Sequence, residues 1–387
     1  MVVHLKGITW NHTRGYVPMV ATSQRYSEMH PDVRMTWEKR SLQEFADYPI
    51  STLTGQYDLI VIDHPWAGFA ANQRALVDLA AHLPDEFLED QRKHSVGASH
   101  PSYLFNGYQS ALAIDAATPV SSRRADLMER EGFEPPSTWE ELLELADAGK
   151  VVLPGIPIDT LMNFYMFCLA VGEEPFVSEE QVVSRETAAE ALDTYRELIA
   201  KCTERIFDWN PIAVYEAMTQ TDEWLYCPFA YGYSNYSRPG YARRVLDFGD
   251  LVAFRSSGPL RSTLGGTGIA ISAETPHLQA ALDYVRYVAS PEIQRTLYAE
   301  SGGQPGHCSA WLDEETNRRS RNYFLATYPA LERAYLRPRY DGYLQFQDHA
   351  GAVVQEYLRY GGSVDRVMDR LNRLYAESIR SGKEAPR

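Results

Sequence analysis

The run Tyr57-Asp58-Leu59-Ile60-Val61-Ile62 does most to narrow what this chain can fold into. Consecutive aliphatic residues leave no polar face, so a strand built from them must be covered on both sides. Helices packed on both faces of a sheet give that cover, and the preceding sequence has the matching rhythm. An apolar stretch ending at Ile8 reads as a first strand. Met19, Tyr26 and Met29 fall on one face of a helix expected to start at Val17-Pro18. Val33, Met35 and Trp37 then alternate with polar residues, as in a strand with one buried face. This βαβ opening predicts an α/β protein, and at 387 residues it should form two lobes rather than one core.

Ligands in open α/β sheets bind beyond the carboxyl ends of the strands, which makes the residues at those ends the first site candidates. Trp10, His12 and Arg14 follow the first strand, and Asp63 and His64 follow the aliphatic run. Taken singly they also have plain structural readings: Trp10 as core, His12, Arg14 and His64 as exposed residues, Asp63 as a helix cap. As clusters at two strand ends they point to a site. Asn106-Gly107 has the composition of a hairpin turn, with Asp115 expected at the end of its second strand. Tyr231, Tyr233 and Tyr236 surround Gly232 in a loop after another strand, and aromatic faces of this kind cover sugar rings or apolar ligand surface.

Gly265, Gly266 and Gly268 precede the apolar Ile269-Ala270-Ile271, the reverse of the order in a dinucleotide-binding loop. They suit a ligand-facing turn or a hinge. Thr138 and Ser290 are positioned to cap helices, and Gly302-Gly303 should end the second of these ahead of the loop Gln304-Pro305-Gly306-His307. Helices are expected near 160–171 and 184–204 and again from residue 320, the last an amphipathic helix around Val364 to Ile379.

The formal net charge of -15 argues against a nucleic-acid partner, whose phosphates need concentrated Lys and Arg. Cys168, Cys202, Cys227 and Cys308 lack C-x-x-C spacing, and no His pair stands at metal-ligand spacing, so no metal and no cofactor are expected. The cysteines read as buried thiols, with one disulfide left open. No apolar run is long enough to span a membrane. The start Met-Val-Val-His-Leu-Lys-Gly lacks the regions of a secretory signal. The expected location is therefore extracytoplasmic if a leader has been removed ahead of Met1, and cytoplasmic if Met1 is the native start.

Several of these segments, in order, resemble family 1 extracellular solute-binding proteins. They are the strand and loop at Ile8 to Tyr16, the run Tyr57 to Val61, Gln109-Ser110-Ala111-Leu112-Ala113-Ile114-Asp115-Ala116, and Pro136-Ser137-Thr138-Trp139-Glu140-Glu141-Leu142. Leu264-Gly265-Gly266, the Ala-Ser-Pro-Glu junction at 289–292 and Gly302-Gly303-Gln304-Pro305 complete the set. The resemblance implies a two-lobe periplasmic-binding-protein fold of type II, with central, mostly parallel sheets flanked by helices and a ligand cleft between the lobes. Lobe one would hold residues 1–115 and 264–309, and lobe two residues 116–263 and 310–387. The hinge strands would lie near Asp115 to Thr118 and Thr263 to Gly266. The family commonly has proline where this chain has Ala113.

The implied function is capture of a small polar ligand (a sugar, polyol or related small acid) by a monomer that serves an ABC importer. The implied site is Trp10, His12, Arg14, Asp63, His64, Asp115, Tyr231, Tyr233, Tyr236, Gly266 and Gln304. Trp10 would act as a stacking platform, so Trp10→Ala should weaken binding while leaving the free protein's stability nearly unchanged. The alternative is an enzyme or cytoplasmic sensor on the same fold, using His12, Asp63 and His64 as acid-base groups. No residue is assigned a catalytic role in the main reading.

Overall fold

The structure, a computed structural model, describes residues 2–42, 44 and 50–384. Among these, five strands form a first sheet in the order β2 (Val33–Arg40), β1 (Val3–Trp10), β3 (Leu59–Ile62), β10 (Gly265–Ile271), β6 (Leu112–Ala117). β1 runs parallel to β2 and β3, whereas β10 is antiparallel to both β3 and β6. Among the named strands the parallel pairs are those that β1 makes with β2 and β3, and the other pairs are antiparallel. The aliphatic run behaves as its composition requires: all four residues of β3 are buried, with Leu59 and Val61 facing one apolar cluster and Ile60 and Ile62 the other.

Helix α1 (Thr13–Met29) starts ahead of the expected Val17, because His12 caps it: the His12 Nδ1 accepts from the Arg14 N–H at 3.0 Å. Pro18 consequently sits inside the helix. Asn106 and Gly107, both at positive φ, turn a short hairpin between β4 (Leu104–Phe105) and β5 (Tyr108–Gln109). Asp115 lies not in that hairpin but within β6, one strand later.

The chain leaves the first sheet after β6 and enters β7 (Pro119–Arg123), the centre of a three-stranded antiparallel sheet with β8 (Tyr226–Tyr231) and β9 (Asp247–Gly249). Helices α2 (Trp139–Asp147), α3 (Pro157–Val171) and α4 (Arg185–Ile199) surround this sheet, with α2 opened by a capping box between Thr138 and Glu141. β10 then brings the chain back to the first sheet, and α5 (Leu278–Val288) covers it. From Trp311 onward the chain returns to the large apolar cluster built around the three-stranded sheet, where α6 (Tyr343–Tyr360) packs on α3 and on α7 (Val364–Glu384). The result is two lobes, each with its own core. All four cysteines are free, Cys168 and Cys227 buried and Cys202 and Cys308 half-buried. No described helix is long and apolar enough to cross a membrane.

The glycines of β10 explain themselves at this point. A side chain at Gly265 would meet the Tyr231 ring, and one at Gly268 the Tyr103 ring. At Gly266, φ is +105° and a Cβ would stand 2.3 Å from the carbonyl oxygen of Asp115. Only glycine lets β10 lie this close to β6 and in this conformation.

Candidate functional site

Two buried ion pairs stand at the carboxyl edge of the first sheet. Arg14, in the first turn of α1, is 4% exposed and Asp115 only 1%. The Arg14 Nε donates to Asp115 Oδ2 at 2.9 Å, and Nη2 donates to Oδ1 in a second, short bond. The remaining Nη1 donates to the Gly232 carbonyl at 2.9 Å, just beyond β8, and the guanidinium lies 4.7 Å from the Tyr233 ring centre. One side chain thus ties α1 to the connecting strand β6 and to the tyrosine loop of the second lobe. Burial works against the charge on Arg14, but the Asp115 carboxylate outweighs it and holds the guanidinium's pKa above its ordinary value. Asp115 itself is pushed up by burial against the pull of Arg14. We take the pair as ionised, because both carboxylate oxygens accept from the guanidinium.

The second pair joins Asp63, directly after β3, to Arg337, far along the chain. Arg337 Nη2 donates to both Asp63 oxygens at 3.0 and 2.8 Å, and Nη1 donates to Gln347 Oε1 at 2.8 Å. Burial raises the Asp63 pKa, but Arg337 and His64 overcome it and hold the carboxyl well below its usual range. Asp63 also caps the short turn that follows, accepting from the His64 N–H. The His64 ring is 1% exposed, with Nδ1 3.1 Å from Asp63 Oδ1. The ring's Nδ1–H therefore faces the carboxylate and Nε2 is left as an acceptor; Nε2 is buried and makes no hydrogen bond among the described residues.

Burial first, and then Arg337, lower the His64 pKa from 6.5 to about 4. A histidine whose folded pKa is depressed contributes stability that is fully present above its unfolded value and lost as pH falls towards the folded one. Stability should therefore fall between pH 6.5 and about pH 4, with His64 contributing up to about 1.4 kcal/mol per pH unit. Denaturant midpoints measured across this window should show a shallower dependence in His64→Gln; an identical dependence would mean that His64 titrates normally in the fold.

The other sequence candidates take several different places. Tyr231 and Tyr233 lie beside these groups: the Tyr231 hydroxyl is 2.8 Å from Thr263 Oγ1, and Tyr233 lies against both Arg14 and the His12 ring edge. Gln304 is a connector, accepting from the Ser234 N–H at 2.7 Å and donating to the Ala116 carbonyl at 3.1 Å. Gly266 supplies close backbone approach. Tyr236 is a core residue of the second lobe with its hydroxyl donated to Glu216.

Trp10 needs correction. It is 3% exposed in the first lobe's core, and its indole lies on the backbone of Gly15, where an added Cβ would come within 2.3 Å of the ring. An indole packed beneath α1 cannot also offer a face to a ligand. His12 likewise has structural work: besides capping α1, its Nε2 lies 3.2 Å from the Tyr241 hydroxyl. It shares no hydrogen-bond partner with Asp63 or His64, so the three do not form an acid-base set.

Arg337 and Asp159 were missed by sequence reasoning. Arg337 lies in Arg337-Pro338-Arg339, which carried no strand-end signal. Asp159 lies in the first turn of α3, fully buried, with Oδ2 lacking any hydrogen bond. Burial alone pushes its carboxyl up to about 8. The Pro-Gly-Ile-Pro interruption at 154–157 marked that helix start and could have drawn attention to it.

This geometry belongs to a known class. Residues 9–295 match the family described as bacterial extracellular solute-binding protein. The chain belongs to that family. No curated protein matches it in sequence, but solved structures share the whole fold. It is similar to maltose-bound MalE3 of T. maritima (16% identity, covering 97% of this chain and 99% of that one, TM-score 0.82). A solute-binding protein of Agrobacterium radiobacter K84 in complex with ribitol has 18% identity, covers 97% and 98% of the two chains and gives a TM-score of 0.81. The GacH receptor of Streptomyces glaucescens, known unliganded and with acarbose, has 16% identity, covers 98% and 99% and gives 0.79.

Proposed function

We propose that this protein captures a sugar or polyol between its lobes and presents it to an ABC importer. The lobes are residues 1–115 with 264–309 and residues 116–263 with 310–387. The observation that carries the reading is the convergence of charged and aromatic groups from distant segments on one edge of the first sheet. Asp63 and His64 follow β3, Arg14 and Asp115 come from α1 and β6, Tyr231 and Tyr233 from the second lobe, and Arg337 from the tail. Maltose, ribitol and acarbose in the related structures support a hydroxyl-rich ligand. Fixed donors and acceptors such as His64 Nε2 can bond such hydroxyls, and a tyrosine face can cover the carbon skeleton.

A micromolar affinity corresponds to about -8 kcal/mol, to be supplied by contacts made when both lobes engage the ligand. A thermal-shift screen over mono- and disaccharides, linear polyols, carboxylates and amines tests this. At least one sugar or polyol should raise the melting temperature in a saturable way and be recovered unchanged after long incubation. Stabilisation by carboxylates or amines alone would reverse the ligand assignment, and conversion of the ligand would move the protein to the enzyme class.

A further inference from the structure

The loop that carries the chain out of the first lobe for the last time holds a second cluster of chemistry, unrelated to the cleft. Asp90 and His94 stand one turn apart at the end of the helix Asp85–Lys93, and His307 is brought against them by backbone pairing. Ser95 bridges to His307, the Cys308 N–H donates to the His94 carbonyl at 2.8 Å, and the Val96 N–H donates to the Gly306 carbonyl at 3.0 Å. The three side chains are thus gathered by main-chain bonds that do not depend on them. His94 Nδ1 lies 2.7 Å from Asp90 Oδ1, His307 Nε2 lies 3.4 Å from Asp90 Oδ2, and one ligand atom from each residue falls within 4.8 Å of the others. His307 is buried, and its Nε2 makes no hydrogen bond although it points at the carboxylate.

From this arrangement we infer that Asp90, His94 and His307 form a binding site for a borderline divalent cation of the zinc type. Two imidazoles and one carboxylate suit Zn²⁺ or its neighbours in the transition series and not Mg²⁺ or Ca²⁺, which take oxygen ligands. Small side-chain rotations would bring the donors to about 2.0–2.2 Å from a common centre. Asp90 and His94 are each more than a third exposed, so an ion can enter and water can complete its coordination. His307 Nδ1 accepts from the Ser309 N–H at 3.2 Å as the helix cap, so coordination through Nε2 requires the ring proton to move to Nδ1, which gives up that cap and donates instead to Ser309 Oγ at 2.8 Å. The bound ion would fasten the helix of the first lobe to the crossing segment, beside the Asp115–Pro305 bridge.

Calorimetric titration of ZnCl₂ into the tag-free, chelator-stripped full chain at neutral pH tests the site. One equivalent should bind with a dissociation constant of roughly micromolar or below, with a rise in melting temperature. His94→Ala should lose at least about tenfold in affinity, as should His307→Asn, which keeps a helix-capping side chain. Metal-free His94→Ala should melt like the parent, since His94 is half-exposed and its side chain bonds Asp90. Absence of saturable binding would overturn the assignment, as would undiminished binding in a variant carrying both His94→Ala and His307→Asn.

Discussion

Asp115→Asn should destabilise the free protein by about 3–5 kcal/mol, the cost of leaving one member of a buried ion pair without its counter-charge. The stranded group is Arg14, whose guanidinium has no route to water and whose Nη1 stays committed to the Gly232 carbonyl. Replacing both members with apolar residues of similar size, as in Arg14→Met with Asp115→Leu, should recover most of that loss, because the desolvation of two charges disappears with them. Urea unfolding of the parent, Arg14→Met, Asp115→Leu and the double variant completes the cycle. A single variant within about 0.5 kcal/mol of the parent, or a double variant no better than the worse single one, would show that the pair is not the coupled unit described above. The double variant should also lose the tie between α1 and the tyrosine loop, so a stable protein with weakened ligand binding is the expected combination.

Trp10→Ala should likewise cost about 3–5 kcal/mol, as removal of a buried large aromatic usually does. The cavity would open between β1 and the first turn of α1, where Gly15 lies flat against the indole. This reverses what the sequence alone suggests, namely a variant that folds normally and binds poorly. Denaturant unfolding in the absence of any solute separates the two directly: a midpoint unchanged from the parent would return Trp10 to the cleft.

How far the fold could be read from sequence follows from what kind of signal each part left. Leu59 to Ile62 announced a strand covered on both faces, and Thr138 with Glu141 announced a helix start, because both signals are local. Asn106-Gly107 was legible for the same reason. His12, in contrast, moved the start of α1 forward because a histidine nitrogen took the capping role usually held by a hydroxyl or carboxylate. Asp115 was placed one strand early, since alternation cannot distinguish the second arm of a short hairpin from the strand that follows it.

The site was less legible than the fold. Strand-end reasoning singled out Arg14, Asp63, His64 and Asp115, which the structure gathers at one sheet edge, but not the partner that neutralises Asp63, because Arg337 arrives from the tail through tertiary packing alone. Trp10 failed for a related reason. A residue at a strand's carboxyl end can face the cleft or turn beneath the next helix, and the small Gly15 that admits the indole gives no sign of doing so until the chain is folded. The cation cluster left no trace either: Asp90 and His94 are an ordinary helical pair until the crossing segment delivers His307.

The most direct test of the central claim is calorimetric titration of the best-stabilising sugar or polyol into the parent and into His64→Gln. His64 has a buried acceptor that no protein group uses, so its loss should weaken binding by about tenfold or more, the worth of a hydrogen bond to a well-placed ligand hydroxyl. The expected result is one-to-one binding by the parent and that loss in the variant, with both proteins folded before ligand is added. Equal affinities in the two proteins, or no binding of any hydroxyl-rich solute by the parent, would contradict the claim that this edge of the first sheet is the ligand site.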